Sequence, residues 1–344
     1  MKSLLVTGGA GFIGINAAKH FAERGWSVTV MDNLSRRGAE DNLAWLSQQV
    51  RVHFERVDVR DAAAVAQVVR TARPAAVLHL AAQVAVTTSV ADPRADFETN
   101  ALGTLNMLEA VRAHAADSVF INASTNKVYG SITGTSAVER ASRYELPGLA
   151  AGVGEDQPLD FHSPYGCSKG AADQYTLDYA RIYGLDTVTL RQSCIYGPRQ
   201  FGIEDQGWVA WFTIAAVLGH PVTLYGDGKQ VRDLLHVDDL VRVYEAVIER
   251  RSHARGLAFN IGGGPSHTLS LLELTSLLHH ELGTPLRMAS ADWRPGDQRV
   301  YVSDIRRAQA LLGWTPVVDV QSGVRALVEW VRGNRHLFSW LGGA

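Results

Sequence analysis

The chain has 344 residues, enough for one large domain or for two lobes sharing a core. Hydrophobic residues make up 46% and charged residues 20%, an ordinary globular balance, and the formal net charge of -2 gives no electrostatic reason to expect nucleic acid or a membrane surface as partner. The only two cysteines, Cys167 and Cys194, exclude a disulfide framework or a cysteine-rich zinc site, suit a reducing cytoplasm and leave no metal expected. The apolar stretch Leu4–Val6 is too short for a signal peptide, and no apolar run is long enough to span a bilayer.

Short apolar runs alternate with helical patterns through the first half of the chain. Ser3–Thr7 reads as a strand, followed by a glycine loop and a helix to about Arg24. Trp26–Met31 and Val50–Val57 read as further strands, and Ala62–Thr71 as a helix. Ala75–Leu80, Ser118–Ala123 and Thr187–Gln192 continue the series. Buried strands separated by helices predict an α/β fold, a Rossmann-like doubly wound parallel sheet with helices on both faces. The stretch Ser131–Pro164 is rich in Gly, Ser, Pro and charge and predicts a long loop near the site. After Gly197 the pattern is mixed, with a helix at Trp208–Leu218, and Ala258–Ile261 looks like a strand returning to the main sheet. The expected division is a dinucleotide-binding domain over 1–192, with returns near 233–262, and a smaller, sequence-interleaved α/β substrate lobe over 193–344.

Gly8, Gly11 and Gly14 stand between a predicted strand and a predicted helix. Glycines there permit a tight turn, close approach to a pyrophosphate and close helix–strand packing, and the helix points its free amides at the phosphates. Asp32 ends the second strand, 18 residues after Gly14. A carboxylate there accepts hydrogen bonds from the adenosine ribose and repels a 2′-phosphate, which favours NAD over NADP. Arg36 and Arg37 follow closely; an arginine can hold a 2′-phosphate, but the pair reads more simply as a solvated basic turn. Asp58, after the third strand, is placed either to meet the adenine edge or to cap the next helix.

Tyr165 and Lys169 are four residues apart and share one helix face. An ammonium beside a phenol lowers the phenol's pKa, so that it can take an alcohol proton while hydride leaves the same carbon. A hydroxyl at the end of a strand should complete the set, and the run Phe120–Gly130 supplies Ser124 and Thr125.

At these residues the chain resembles the extended short-chain dehydrogenases/reductases, the group that contains the nucleotide-sugar epimerases and dehydratases. The resemblance covers nearly the whole length. It implies NAD as cofactor and a nucleotide-diphosphate sugar as substrate. It implies Thr125, not Ser124, as the catalytic hydroxyl, four residues before the Tyr of Val128-Tyr129-Gly130. For the cofactor it implies a cleft formed by Gly8, Gly11, Phe12, Ile13, Gly14, Asp32, Asn33, Asp58, Val59, Leu80, Ala81, Ala82 and Asn100 with Tyr165 and Lys169. For the substrate it implies Gln83, Thr125, Asn126, Gln206, Arg232 and Arg294, the two arginines meeting the diphosphate. Where many relatives place a diphosphate-touching asparagine, this chain has Cys194. Trp208 belongs either to the sugar or base pocket or to the core of its own helix. Asn100 could alternatively cap the helix predicted at Leu102–Val111. That helix and the Tyr165 helix pair across a two-fold axis in the group, implying a homodimer or homotetramer; the apolar stripe could instead be ordinary core.

The residues after Thr125 bear on the reaction. The dehydratases of the group carry an acid pair there, which elimination of water requires. This chain has Asn126 and Lys127, which disfavours dehydration. Ser124–Gly130, Leu159–Tyr175, Asp205–Val209 and Gln83–Ser89 together resemble the hexose 2-epimerases of the group that act on CDP-linked sugars. The implied reaction is oxidation at C2, turning of the ketone, and reduction on the other face. A 4-epimerase or 4-keto reductase of the same group, and a non-catalytic NAD-sensing protein, are the alternatives.

Overall fold

The computed structural model describes residues 2–132, 135–293 and 298–341. Its centre is a seven-stranded sheet, all parallel. The strands are β1 (Ser3–Thr7), β2 (Ser27–Asp32), β3 (His53–Arg56), β4 (Ala76–His79), β5 (Val119–Thr125), β6 (Asp186–Gln192) and β7 (Ala258–Ile261). Their order is β7-β6-β5-β4-β1-β2-β3. The chain winds outward in both directions from β1, so β1 and β4 flank the topological switch point, where such sheets open a crevice at their carboxyl ends. Six strands were bounded within about two residues by their apolar runs. β3 is shorter than the run Val50–Val57 because it is the outermost strand, paired only with β2 and largely exposed along His53–Arg56.

Helices cover both faces. One core layer joins Leu4, Val6, Ile15, Phe21, Val30 and Ile121 with Leu240, Tyr244 and Phe259. The opposite layer joins Leu5, Val65, Val69, Val77, Met107, Val111 and Phe120. Leu4 and Leu5 face opposite layers, which is why β1 is a continuous apolar run rather than an alternating one.

A separate core lies under the second half of the chain. Tyr196, Phe212, Ile214, Leu224, Leu274, Leu278, Leu327 and Phe338 form it, from helices Trp208–Leu218, Leu271–Leu282 and Val320–Gly333 packed on short strands. The strand Val231–His236 lies between Cys194–Tyr196 and Thr268–Ser270, and also pairs with Val300–Tyr301. The two cores interleave in sequence more than expected. Beyond the return through Val237–Glu249 and β7, a second return brings Ile305, Ala308, Leu312 and Trp314 back into the main core.

Two predicted features differ in detail. The loop over 131–164 carries a small antiparallel pair, Val138–Glu139 with Tyr144–Glu145, and a 3-10 turn at Pro147–Leu149. The helix expected at Leu102–Val111 runs Gly103–His114 and is entered through a π-helical turn, Glu98–Leu102. Among the described residues no helix is long and apolar enough to cross a membrane.

Candidate active site

The carboxyl ends of β1, β2, β4 and β5 open into a cleft of about 1770 Å³ that continues under the smaller lobe. A pocket for one drug-sized ligand is roughly 300–1,000 Å³, so the cleft has room for two ligands end to end.

At its β1 end lie Gly8, Gly11, Phe12, Ile13, Gly14, Asp32, Asn33, Asp58, Val59, Leu80, Ala81 and Ala82. A Cβ on Gly8, where φ is +63°, would stand 2.7 Å from the Ala81 amide nitrogen, and one on Gly14 would stand 2.4 Å from the Gly8 carbonyl oxygen. No larger residue fits either position. The helix Phe12–Glu23 starts at Gly11 with no side chain capping it, so its first amides face the cleft unsatisfied by side chains. That is the donor set a pyrophosphate requires. Asp32, 9% exposed, accepts from the Ala10 amide at 3.0 Å and the Leu34 amide at 2.8 Å, which fixes its carboxylate at the cleft edge. Asp58 accepts from Asn33 Nδ2 at 2.9 Å and from Arg60, and Arg60 holds its carboxyl well below the usual range. The next helix is capped by Asp61, whose Oδ1 accepts from the Ala64 amide, so capping is not the role of Asp58.

The basic turn is exposed, as expected, yet both of its arginines make contacts with the smaller lobe. Arg36 donates to Gln206 of the smaller lobe, across the cleft mouth, and the Arg37 guanidinium lies 4.0 Å from the ring centre of Trp340. Arg199 stacks similarly on Trp45, at 4.1 Å. These contacts join sequence-distant segments around the β2 end of the cleft.

Thr125 ends β5, and Tyr165 and Lys169 stand on the helix Ser163–Tyr183, all three lining the cleft. Pro164 opens that helix, where its missing N–H is no loss. The Tyr165 amide is taken up from outside by Ser89 Oγ, at 3.1 Å. Thr125 stands beside the Tyr165 hydroxyl, and its own hydroxyl donates to Asn126 Oδ1 at 3.4 Å. The Lys169 ammonium does not reach toward the phenol as its spacing predicts. It donates to the Ala123 carbonyl on β5, at 2.5 Å. Both side chains are almost fully buried. Burial pushes the Tyr165 phenol up to about 12, against the pull of Thr125, and brings the Lys169 ammonium down to about 8.

Ser124 also faces the cleft, but its hydroxyl donates to Asp173 Oδ2 at 2.7 Å. Asp173 is fully buried and takes two bonds from Arg191, each 3.0 Å. The strand-end serine thus locks the catalytic helix to β5 and β6, a structural role.

Asn100 and Gln83 depart from their expected positions, since neither lines the cleft. Gln83 closes on its own backbone, bonding both the amide and the carbonyl of Ala85. Asn100, 1% exposed in the π-helical turn, holds the backbone of Gln83 from both sides and reaches Ser168. They shape the cofactor loop from behind, and the capping alternative for Asn100 is also set aside. His79 continues this scaffold. Thr104 donates to the Asn100 carbonyl, so His79 Nε2 carries the proton that Thr104 accepts, and Nδ1 accepts from Thr7. Burial keeps this imidazole neutral.

At the far end Asn126, Lys127, Gln206, Trp208, Cys194 and Arg232 line the cleft. Arg232 is a buried arginine, 8% exposed, on the strand Val231–His236. Trp208 Nε1 donates to Cys194 Sγ at 3.4 Å, and its ring packs edge-on against Phe212, so it belongs to both the wall and the core. Burial pushes the Cys194 thiol up. Arg294 lies outside the described residues.

A seven-stranded Rossmann-like sheet, an uncapped glycine-loop helix and a Thr–Tyr–Lys set in one cleft define an NAD-dependent extended short-chain dehydrogenase/reductase. The family model described as GDP-mannose 4,6 dehydratase matches residues 5–327, and the chain belongs to that family of NAD-dependent nucleotide-sugar epimerases and dehydratases. It is 46% identical to CDP-paratose 2-epimerase of Salmonella typhi, over 95% of this chain and 98% of that one. Among solved structures it resembles Thermotoga maritima UDP-glucose 4-epimerase with UDP-glucose, at TM-score 0.82 and 34% identity, covering 97% of this chain and 99% of the other. It also resembles a dTDP-glucose 4,6-dehydratase of Streptomyces venezuelae with NAD bound, at TM-score 0.82 and 31% identity, covering 97% and 98%.

Proposed function

We propose that this enzyme inverts C2 of a CDP-linked deoxyhexose by transient oxidation to the 2-ketone and re-reduction within one active site. The observation that carries the reading is the end of β5. Thr125 stands in one cleft with Tyr165 and Lys169, while the next two positions are Asn126 and Lys127 instead of an acid pair. A dehydratase needs a base beside the ketone and an acid for the leaving hydroxyl. Neither Asn126 nor Lys127 offers that pair, whereas hydride removal and return need only Thr125, Tyr165 and Lys169. The 46% identity to a 2-epimerase favours C2.

In this reading the glycine loop and the uncapped helix hold the NAD pyrophosphate, Asp32 and Asn33 the adenosine ribose, and Asp58 the adenine edge. Bound there, NAD supplies the hydride acceptor and, once reduced, the donor. Thr125 holds the 2-oxygen of the sugar. Tyr165 takes the proton of the 2-hydroxyl during oxidation and returns one after the ketone has turned. Lys169 keeps a positive charge near the phenol. Arg232, with Arg294, holds the diphosphate; Asn126, Gln206 and Trp208 belong to the sugar and base pocket. Residues 1–192 with the return at 233–262 then act as the cofactor unit, and 193–344 mainly as the substrate lobe.

A homodimer fits the exposed apolar side chains on the outer helices. Phe97 is 55% exposed, Tyr175 49%, Ile182 63% and Tyr183 49%, a set that pairing of the Gly103–His114 and Ser163–Tyr183 helices with a second copy would cover. Two cysteines without a disulfide suit the cytoplasm.

The test is product analysis with CDP-, GDP- and UDP-hexoses and no added cofactor, reading configuration at C2 and C4. Inversion at C2 of a CDP-sugar is the expected result. Inversion only at C4, or a strict requirement for added NADH or NADPH, overturns the reading in favour of a 4-epimerase or a reductase.

A further inference from the structure

Asp96 is an unexplained charge beside the catalytic helix. It sits on the short helix Pro93–Phe97 and is 1% exposed. Its two oxygens are taken by neutral donors: Oδ2 accepts from Ser168 Oγ at 2.5 Å, and Oδ1 from Asn100 Nδ2 at 3.1 Å. Ser168 is the residue before Lys169, and its hydroxyl also lies 3.2 Å from the Tyr165 carbonyl. Desolvating a carboxylate costs several kcal/mol when no cation is bonded to it. An asparagine would accept the Ser168 hydroxyl as well without that penalty. The charge itself therefore needs a purpose, and the cation whose field it meets is Lys169.

We propose that Asp96 is a positioning residue of the Tyr165–Lys169 pair, a buried counter-charge that acts on both groups through the low-dielectric interior and is held against the catalytic helix by Ser168. It keeps the Lys169 ammonium protonated where burial opposes charge, and it holds Tyr165 toward the phenol form. The proton that Tyr165 takes in the oxidation is given back in the reduction, so a phenol form held stable between the two steps keeps that proton on the residue while the ketone turns. The other groups facing the pair are few. Tyr165 meets Thr125 at the end of β5 and the Arg36 charge from the loop after β2. Lys169 meets Asp173 on its own helix, already bonded to Arg191, and lies near neutral His79 under the cofactor loop. Asp96 is the charge that bears on both members.

The direction follows from the sign. Removing a negative charge lowers the pKa of Tyr165 and of Lys169 together. Asp96→Asn should move both limbs of the kcat/KM pH profile to lower pH, by roughly one unit, with the maximal rate changed far less. Ser168→Ala, which takes a donor from the carboxylate and weakens its ionised form, should move the profile in the same direction by less. It serves also where Asp96→Asn does not fold. The inference rests on Tyr165 and Lys169 as the acid–base pair but not on the sugar. The tyrosinate absorbance of the NAD-loaded protein, taken as wild type minus Tyr165→Phe, reads the Tyr165 titration without any substrate. An acid shift in that titration upholds the proposal even if every CDP-sugar is inert. An unmoved or alkaline-shifted profile, with activity lost equally at all pH values, makes Asp96 merely structural and overturns it.

Discussion

Tyr165→Phe should lower kcat by about 10³-fold or more while leaving NAD bound, because general acid–base catalysis by a placed side chain is worth roughly 10²–10⁴-fold. The phenol is 8% exposed in the wall of the cleft beside Thr125, with no second titratable oxygen beside it on β5. Phenylalanine fills the same space and loses only the hydroxyl. The glycine loop, Asp32 and Asp58 are untouched, so retention of cofactor after gel filtration should match wild type. A burial-raised phenol also predicts activity that climbs with pH from the acid side, since the deprotonated form begins the cycle, until loss of the Lys169 proton near 8 turns it down. Near-normal turnover in Tyr165→Phe would remove the assignment of the base.

The second large effect has opposite signs for stability and for activity. Lys169→Met should abolish most turnover and raise the melting temperature of the cofactor-free protein by a few degrees at pH 7. Burial brings the folded-state pKa of Lys169 to about 8, below its ordinary 10.5. The folded chain then holds fewer protons than the unfolded chain between those values, so stability rises with pH across that window. Below pH 8 the buried ammonium weakens the fold in full, by on the order of 3 kcal/mol. Methionine removes that penalty and keeps the chain length and apolar stem. It gives up the ammonium's bond to the Ala123 carbonyl, worth about 2 kcal/mol for a charged donor, which leaves a net gain of about 1 kcal/mol. The gain should be largest at pH 7 and shrink toward pH 10, as thermal melts at the two values would show. A lower melting temperature at pH 7 would mean that the ammonium stabilises the fold instead.

Much of this site was legible because its signals are local. The glycine loop needs its residues at fixed spacing between a strand and a helix, and Gly8 and Gly14 allow no side chain at all. Tyr165 and Lys169 share a face because a helix makes residues four apart neighbours. The continuous apolar runs of β1, β4 and β6 marked buried parallel strands. What was not legible depends on partners far along the chain. Asn100 and Gln83 stand near the cofactor loop, but only the folded chain shows them turned to each other and to Ser168, behind the cleft. Ser89 caps the catalytic helix from 76 residues away, and nothing around either residue announces it. Asp96 looks like one more acid in a polar turn until burial isolates it. Arg36 and Arg37 are exposed, as their pairing suggests, but the partners they meet, Gln206 and Trp340, come from the other lobe and leave no local signal. The direction in which Tyr165 shifts also escaped a pairwise reading. Desolvation of the whole site outweighs one neighbouring charge, and that charge is turned toward β5.

The central claim is that hydride leaves and returns to one sugar carbon inside one cleft. A CDP-deoxyhexose deuterated at C2, converted without added cofactor in ordinary water, tests it most directly by NMR of the product. The account predicts inverted C2 that still carries deuterium, with a primary isotope effect on turnover. Inversion with the label lost to solvent would contradict it, because the proton would then have passed through an enol and not through a hydride.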